Sequence, residues 1–202
     1  MLNLELTIIE ALQKRAFDGF ALLKDSGLNQ ETPFLVINRF GRTLQDIMDR
    51  RCSLFSLKSV VQIAIQLTTL LERFHSLGLV YNDLKPDNIC VGNYDSKEQV
   101  TNQHAIFLID YGLASRYRVK GSNSSKPAHV RQKTEGFKGN YAYASQNALN
   151  LQTTSRRDDI LSLLFLVYYM LTGDVFGKPV LASRVAILRT RYQYDEKNLE
   201  DA

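Results

Sequence analysis

Two short motifs carry most of the chemistry in this sequence. The first is residues 81–88, with the sequence YNDLKPDN, and the second is the triplet Asp110-Tyr111-Gly112 further along the chain. Asp83 can accept a proton from a hydroxyl, and Lys85 can neutralise charge on a phosphoryl group. Asn88 and Asp110 offer the oxygen ligands that Mg²⁺ prefers. The combination predicts a phosphoryl-transfer site, and a fold that contains it must bring two separate loops together.

The overall composition is that of a globular domain. The chain has 202 residues, of which 45% are hydrophobic and 23% charged, so it can bury a sizeable core as one compact unit. Its two cysteines, Cys52 and Cys90, have no paired spacing, and no secretory signal precedes them. A reducing compartment, cytoplasmic or nuclear, is therefore expected, without a structural disulfide. The most apolar run, residues 160–171, is too short to cross a bilayer.

The net charge of +4 is modest, but its distribution is uneven. Between Asp110 and Asn147 the basic residues clearly outnumber the acidic ones. They are Arg116, Arg118, Lys120, Lys126, Arg131, Lys133 and Lys138. Such a stretch is either a solvated basic loop or a surface that attracts acidic or phosphorylated peptide, and charge counting favours neither. A nucleic-acid-binding module is the weakest hypothesis, because the chain has no recognisable binding motif.

Hydrophobic periodicity predicts a mixture of helices and short strands. Four helices are expected, at residues 2–14, 43–50, 56–78 and 157–173, the last as the buried centre of a helical subdomain. Four strands are expected, at residues 17–24, 33–40, 89–91 and 105–109, with a loop at 25–29. Because residues 89–91 and 105–109 would form a hairpin, Asn88 and Asp110 are expected at its two ends.

The same motifs resemble those of protein kinases. The kinase pattern is H-R-D-L-x-x-x-x-N followed by D-F-G, and this chain keeps both aspartates, the lysine, the asparagine and the glycine. Within that fold, residues 139–147 (GNYAYASQN), 155–159 (SRRDD) and 110–117 (DYGLASRY) are similar to segments of the casein kinase 1 group and its vaccinia-related branch. The resemblance implies an α+β fold that is mainly the helical C-lobe, residues 41–202, with a remnant of the N-lobe and hinge, residues 1–40.

The resemblance also implies a role for each matching residue. Asp83 would be the catalytic base, and Lys85 would face the phosphates of ATP. Asn88 and Asp110 would hold Mg²⁺ and contact the nucleotide. The hinge and gatekeeper that would bind adenine are Ile37, Asn38, Arg39 and Phe40. The structural positions are Glu5 in helix C, Tyr81 in the catalytic loop, Tyr111 and Gly112 beside the metal aspartate, and Asp159 as the tether of the catalytic loop.

Several positions depart from the kinase pattern. Tyr81 and Asn82 stand where His and Arg are usual, and Tyr111 replaces Phe. Asn82 removes the arginine that receives a phosphate in other kinases. Asn140 and Ala142 replace a threonine and an arginine of the casein kinase 1 group, which puts a preference for phosphorylated substrates in doubt. The sequence contains no G-x-G-x-x-G loop and no V-A-I-K lysine, so it is expected to be the middle of a kinase, cut at both ends.

Two main functions follow from these features. The first is a Ser/Thr protein kinase of the casein kinase 1 group, with ATP and Mg²⁺ as cofactors and a protein substrate. The alternative is a catalytically impaired pseudokinase or truncated isoform that acts as a binding or regulatory module. The three histidines, His75, His104 and His129, have no metal-ligand spacing, and structural or surface roles are expected for them.

Overall fold

The computed structural model describes residues 2–51, 54–92, 104–117 and 136–176. The part that it describes has a mixed α+β architecture. The helices are α1 (Leu2–Lys14), α2 (Leu44–Arg51), α3 (Leu57–Ser76), α4 (Gln146–Leu149) and α5 (Arg156–Thr172), with a 3₁₀ turn at Pro86–Asn88. The strands are β1 (Leu23–Asn29), β2 (Thr32–Ile37), β3 (Leu79–Val80), β4 (Ile89–Val91), β5 (Ile106–Leu108) and β6 (Ser115–Arg116).

Helix α3 is the long helix on which the core is built, and its prediction is confirmed. Ser56 caps its first turn, since its side chain accepts a hydrogen bond from the backbone N–H of Ser59. One apolar stripe is buried, as its spacing predicts. Its buried members are Val60, Ile63, Leu67, Leu70, Leu71 and Phe74. Gly78, with φ of +78°, follows the last turn and directs the chain into β3.

The first hairpin differs from the prediction. Strand β1 includes the residues expected to form a loop, and the turn is instead Gln30-Glu31, with φ values of +46° and +71°. A two-residue turn with both φ values positive matches the twist of the strands that it joins. The predicted strand at residues 17–24 was wrong in extent, because its apolar residues serve the core instead. Phe20 is buried and forms a parallel bridge with Leu108 of β5.

The second hairpin was predicted and is confirmed. Strands β4 and β5 pair antiparallel, with Ile89 opposite Leu108 and Val91 opposite Ile106. The segment after β2 lies along it, since the N–H of Gly41 donates to the carbonyl of Val91 at 2.9 Å. A Cβ at Gly41 would stand 2.8 Å from that carbonyl oxygen, so the close approach requires glycine.

Helix α5 packs against α3 and begins with a capping box formed by Ser155 and Asp158. It ends at Gly173, which adopts the left-handed conformation with φ of +73°. The sequence predicted this helix as the buried centre of a helical subdomain, and one side of it is buried. Leu163, Leu166 and Met170 are buried, but the other side exposes apolar residues because α5 is apolar around most of its circumference. Those exposed are Ile160, Leu164, Tyr168 and Leu171.

None of the helices in the described ranges has the length and apolar character needed to cross a membrane. Cys90 is buried and its thiol is free. Several predictions concern residues outside the described ranges: Cys52, His129, the basic residues at positions 118–133, and the chain after residue 176.

Candidate active site

The first motif, residues 81–88, forms a short loop between β3 and β4, which we call the catalytic loop after the resemblance. Leu79 and Val80 are buried in β3, which pairs with β6, and the loop ends in the 3₁₀ turn that leads directly into β4. Both ends of the loop are therefore fixed by strands. Asp83 and Asn88 are buried within it, at 3% and 5% exposure. A buried polar side chain needs hydrogen-bond partners, and the loop supplies them from its own residues.

Asp83, Lys85 and Asn88 lie in direct contact with one another. The Oδ2 atom of Asp83 accepts hydrogen bonds from Lys85 Nζ and from Asn88 Nδ2, both at 2.8 Å. Asn88 Nδ2 also donates to the backbone carbonyl of Asp83, at 3.0 Å. The interactions fix the carboxylate and place a positive charge beside it. Three of the residues predicted from the sequence are thus brought together.

The other oxygen of Asp83 is unusual. Among the described residues, Asp83 Oδ1 is a buried side-chain atom with no hydrogen-bond partner. Leaving a buried acceptor unpaired costs about 1 to 3 kcal/mol, and native proteins rarely keep such an atom without a use for it. Its neighbour Oδ2 is held in place, so Oδ1 has a fixed direction. It is suited to accept a hydrogen bond from a bound hydroxyl.

Asp110 reaches the same region at the end of the second hairpin. The N–H of Ile109 donates to the carbonyl of Asn88 at 3.1 Å, which joins the residue before Asp110 to the catalytic loop. Asp110 has φ of +60°, and its Oδ1 accepts from the N–H of Gly112 at 3.2 Å. A short polar side chain that bonds to the backbone two residues on tolerates this conformation. The predicted position of Asn88 and Asp110 at the ends of one hairpin is confirmed.

Asn88 and Asp110 are suited to hold Mg²⁺. The amide nitrogen of Asn88 is used within the loop, so its amide oxygen is the atom that could bind a cation. Asp110 is exposed and carries a carboxylate. In the described ranges no group of three or more His, Cys, Asp and Glu side chains could hold a metal. A pair of protein ligands, completed by phosphate oxygens and water, is the usual arrangement for Mg²⁺ and fits these residues.

Asp159, near the start of α5, accepts hydrogen bonds from the catalytic loop. Its Oδ2 accepts hydrogen bonds from the N–H of Tyr81 at 2.8 Å and from His75 Nε2 at 2.7 Å, and its Oδ1 accepts from the N–H of Asn82 at 2.9 Å. The residue is 1% exposed. Because two consecutive backbone N–H groups bind one carboxylate, the loop is held to the helical core just before Asp83. His75, for which the sequence predicted no function, supports this carboxylate.

The hydroxyl groups of Tyr81 and Tyr111 bind the backbone just before Asp110. Tyr81 donates its hydroxyl to the carbonyl of Ile109, and Tyr111 donates to the carbonyl of Leu108, both at 2.5 Å. Tyr111 also accepts from the N–H of Ala21 at 3.0 Å. Burial raises the pKa of both hydroxyls, so both remain protonated donors at neutral pH. The two tyrosines therefore hold the backbone that leads into Asp110.

Removal of the Tyr111 hydroxyl tests this connection. Tyr111→Phe is expected to lower the free energy of unfolding by about 2 kcal/mol, because it leaves two buried backbone groups without a partner. Tyr81→Phe loses one hydrogen bond and is expected to cost about 1 kcal/mol. Urea denaturation measures both. Tyr168→Phe, on the exposed side of α5, is the control, and a Tyr111→Phe variant as stable as this control would contradict the assignment.

Glu5 lies on the side of α1 that faces the second motif. Its Oε1 accepts a hydrogen bond from the N–H of Tyr111, at 3.4 Å. Burial raises the pKa of the Glu5 carboxyl, and this hydrogen bond partly opposes the effect. The structure thus joins helix α1 to the second motif through Glu5, which the resemblance places in helix C.

The residues predicted to bind adenine, 37–40, are the last residue of β2 and the three that follow it. Asn38 pairs with Leu22, since its N–H donates to the carbonyl of Leu22 and its Oδ1 accepts from the N–H of Leu22. The ring of Phe40 packs against that of Phe107 at a tilt of 43°, with ring centroids 4.9 Å apart. Ile37, at 37% exposure, and Arg39 are exposed. These residues join the first hairpin to the rest of the fold, and their contact with adenine stays a prediction.

Comparison with known proteins decides the family. A family model described as "Protein kinase domain" matches residues 5–191, which is most of the chain. The chain belongs to the protein kinase family. Protein kinases act on protein substrates with ATP and a divalent metal, and the site described above contains the residue types that this chemistry needs.

The relatives of this kinase point to one group. It is 37% identical to casein kinase I homolog 1 of Saccharomyces cerevisiae over 141 residues, which are 70% of this chain and 25% of that protein. It is 34% identical to casein kinase 1-like protein HD16 of Oryza sativa subsp. japonica over 139 residues, 69% of this chain and 19% of that protein. A probable serine/threonine-protein kinase of Dictyostelium discoideum is 28% identical over 176 residues, 87% of this chain and 33% of that protein.

The casein kinase 1 similarity predicted from the motifs is confirmed by these relatives. This kinase spans about a quarter of the length of the first two curated relatives that it matches.

Proposed function

We propose that the protein is a Ser/Thr protein kinase of the casein kinase 1 type, which transfers the γ-phosphoryl group of ATP to a protein hydroxyl. The observation that carries this proposal is the unpartnered, buried Oδ1 of Asp83 beside the fixed charge of Lys85. A substrate hydroxyl that donates to Oδ1 would be oriented for attack and could pass its proton to this carboxylate. The pseudokinase alternative has less support, because the chain keeps the predicted base Asp83 and Lys85 beside it. It also keeps both predicted metal ligands, Asn88 and Asp110.

Each residue of the site has a separate task in this proposal. Asp83 orients the hydroxyl, and Lys85 stabilises the charge of the phosphoryl group as it moves between two oxygens. Asn88 and Asp110 would hold Mg²⁺, which supplies charge neutralisation on the phosphate oxygens when it is bound. Ile37, Asn38, Arg39 and Phe40 would surround the adenine ring.

The metal assignment can be tested by binding alone. We expect Asp110→Asn to reduce the Mg²⁺-dependent part of ATP affinity by about tenfold or more, since a neutral amide is a weaker ligand than a carboxylate. Isothermal titration calorimetry of the full-length protein with ATP, with and without Mg²⁺, measures the Mg²⁺-dependent part of the affinity. Asp87→Asn, an exposed aspartate in the same loop, is the matched control. Equal Mg²⁺ dependence in Asp110→Asn and the unaltered protein would contradict the assignment.

We also propose that the substrate is an acidic or phosphorylated protein. Arg116 and Lys138 line one cavity of about 140 Å³ beside Asn82, and both are exposed. A negatively charged side chain near the substrate hydroxyl would be attracted to them.

Because the chain has two cysteines without paired spacing, we propose an intracellular location, cytoplasmic or nuclear. The boundary between residues 1–40 and 41–202 also remains our proposal for the two lobes.

A further inference from the structure

The side chain of Asn82 joins three segments of the chain. Its Nδ2 donates to the carbonyl of Leu113 and to Ser115 Oγ, both at 2.9 Å. Its Oδ1 accepts from Thr154 Oγ1 at 2.6 Å. Leu113 and Ser115 follow the second motif, whereas Thr154 directly precedes the cap of α5. One amide thus satisfies groups on both sides of the catalytic loop, and all its partners are uncharged.

The backbone of Asn82 is equally constrained. Its φ of +69° is in the left-handed region, which Asn tolerates better than most residues. Gly139 approaches so closely that a Cβ there would stand 2.5 Å from the carbonyl oxygen of Asn82. The segment that begins at residue 136 therefore packs directly on the catalytic loop, next to Asp83. Asn82 is the residue at which four segments of the chain meet.

We propose that Asn82 is a positioning residue for the protein substrate, one that holds the segments around Ser115, Gly139 and Thr154 in place without a phosphate. The inference rests on the proposed kinase function and extends it. A neutral amide cannot attract a phosphate as a guanidinium does. Instead it uses its hydrogen-bonding groups on a carbonyl and two hydroxyls that the chain itself supplies. Asn82 therefore joins these segments through groups that the chain itself supplies.

The predicted effect is specific to the protein substrate. A substrate hydroxyl that reaches Asp83 must lie beside the segments that Asn82 holds. The hydrogen bonds of the Asn82 side chain go to Leu113, Ser115 and Thr154, and not to the predicted metal ligands Asn88 and Asp110. Loss of the side chain should thus weaken substrate binding more than nucleotide binding. A residue that supports only the general stability of the fold would not produce this difference.

The first variant is Asn82→Gly, which removes the side chain and still permits a positive φ. We expect the KM for a peptide substrate to rise about tenfold or more and the KM for ATP to change by less than about twofold. Thr154→Val, which loses only the hydroxyl, should raise the peptide KM by a smaller factor. The double variant should resemble Asn82→Gly alone, because the two residues act through one hydrogen bond. Phosphatase treatment should leave the activity of the unaltered protein unchanged.

Amide hydrogen exchange gives a readout that needs no activity. In Asn82→Gly we expect exchange at least about tenfold faster around residues 113–115 and 154 than in the unaltered protein, with the exchange of α3 unchanged. Unchanged exchange in these segments would overturn the inference, and so would equal rises in both KM values, additive effects in the double variant, or lost activity after phosphatase treatment. Absence of phosphoryl transfer by the unaltered protein would instead contradict the proposed function, and hydrogen exchange would then decide the role of Asn82.

Discussion

Asp159→Asn is expected to lower the free energy of unfolding by about 3 kcal/mol. The carboxylate is 1% exposed and accepts hydrogen bonds from the N–H groups of Tyr81 and Asn82 and from His75. An amide of the same shape offers one acceptor oxygen, and its NH₂ group would face a donor. At least one buried N–H group would lose its partner, and charge-assisted hydrogen bonds would be replaced by neutral ones.

Urea denaturation, followed by far-ultraviolet circular dichroism, measures this loss. Glu72→Gln is a suitable control, because it makes the same chemical change on the exposed side of α3. We expect the control to change stability by less than about 0.5 kcal/mol. A stability of Asp159→Asn within that range would mean that the carboxylate does not hold the catalytic loop, and the account of the loop would need revision.

The parts of the fold that could be predicted are those specified by local sequence. Helix α3 has a cap at Ser56, a continuous apolar stripe and a glycine after its last turn, so its limits follow from residues in the helix and directly beside it. The hairpin of β4 and β5 was equally accessible, because two short apolar runs flank a polar insertion. It brings Asn88 and Asp110 to one region, and that is why the sequence could predict a shared site.

The first hairpin could not be predicted in the same way. Its strands are mostly exposed, so hydrophobic alternation gave little information on their register. The ring of Phe34 lies over Gly27, with ring atoms 3.0 and 3.1 Å from where a glycine Cβ would be. That contact belongs to the paired strands and has no signature in either strand alone. The expected loop at residues 25–29 was therefore wrong.

Much of the support around the site also depends on contacts between distant residues. His75 is far in sequence from Asp159, and its position on α3 gave no sign of that contact. Asn82 was recognised only as a departure from the kinase pattern, although it binds Leu113, Ser115 and Thr154. The sequence indicated the residues to which we assign the chemistry and, through the resemblance, Asp159 as a tether, whereas the contacts of His75 and Asn82 required the structure.

Asp83→Asn is expected to reduce phosphoryl transfer by a factor of about 10² to 10⁴. An amide at this position cannot take the proton of the substrate hydroxyl at neutral pH. Asn88 can still donate to the backbone carbonyl of residue 83, so the loop keeps that support. The affinity for Mg²⁺-ATP should fall much less than the transfer rate, because Asp83 has no hydrogen bond to any of the four residues assigned to adenine, although Lys85 and Asn88 lose a charged partner.

A transfer assay tests most directly whether the protein is a kinase with Asp83 as its base. The full-length protein is incubated with radiolabelled ATP, Mg²⁺ and a protein substrate such as casein, and the label in the substrate is measured. Asp83→Asn is compared with Asp87→Asn, which makes the same change on an exposed side chain of the same loop. We expect transfer by the unaltered protein and by Asp87→Asn, and its near-complete loss in Asp83→Asn. Equal transfer by Asp83→Asn and the unaltered protein, or none by any of the three, would contradict it.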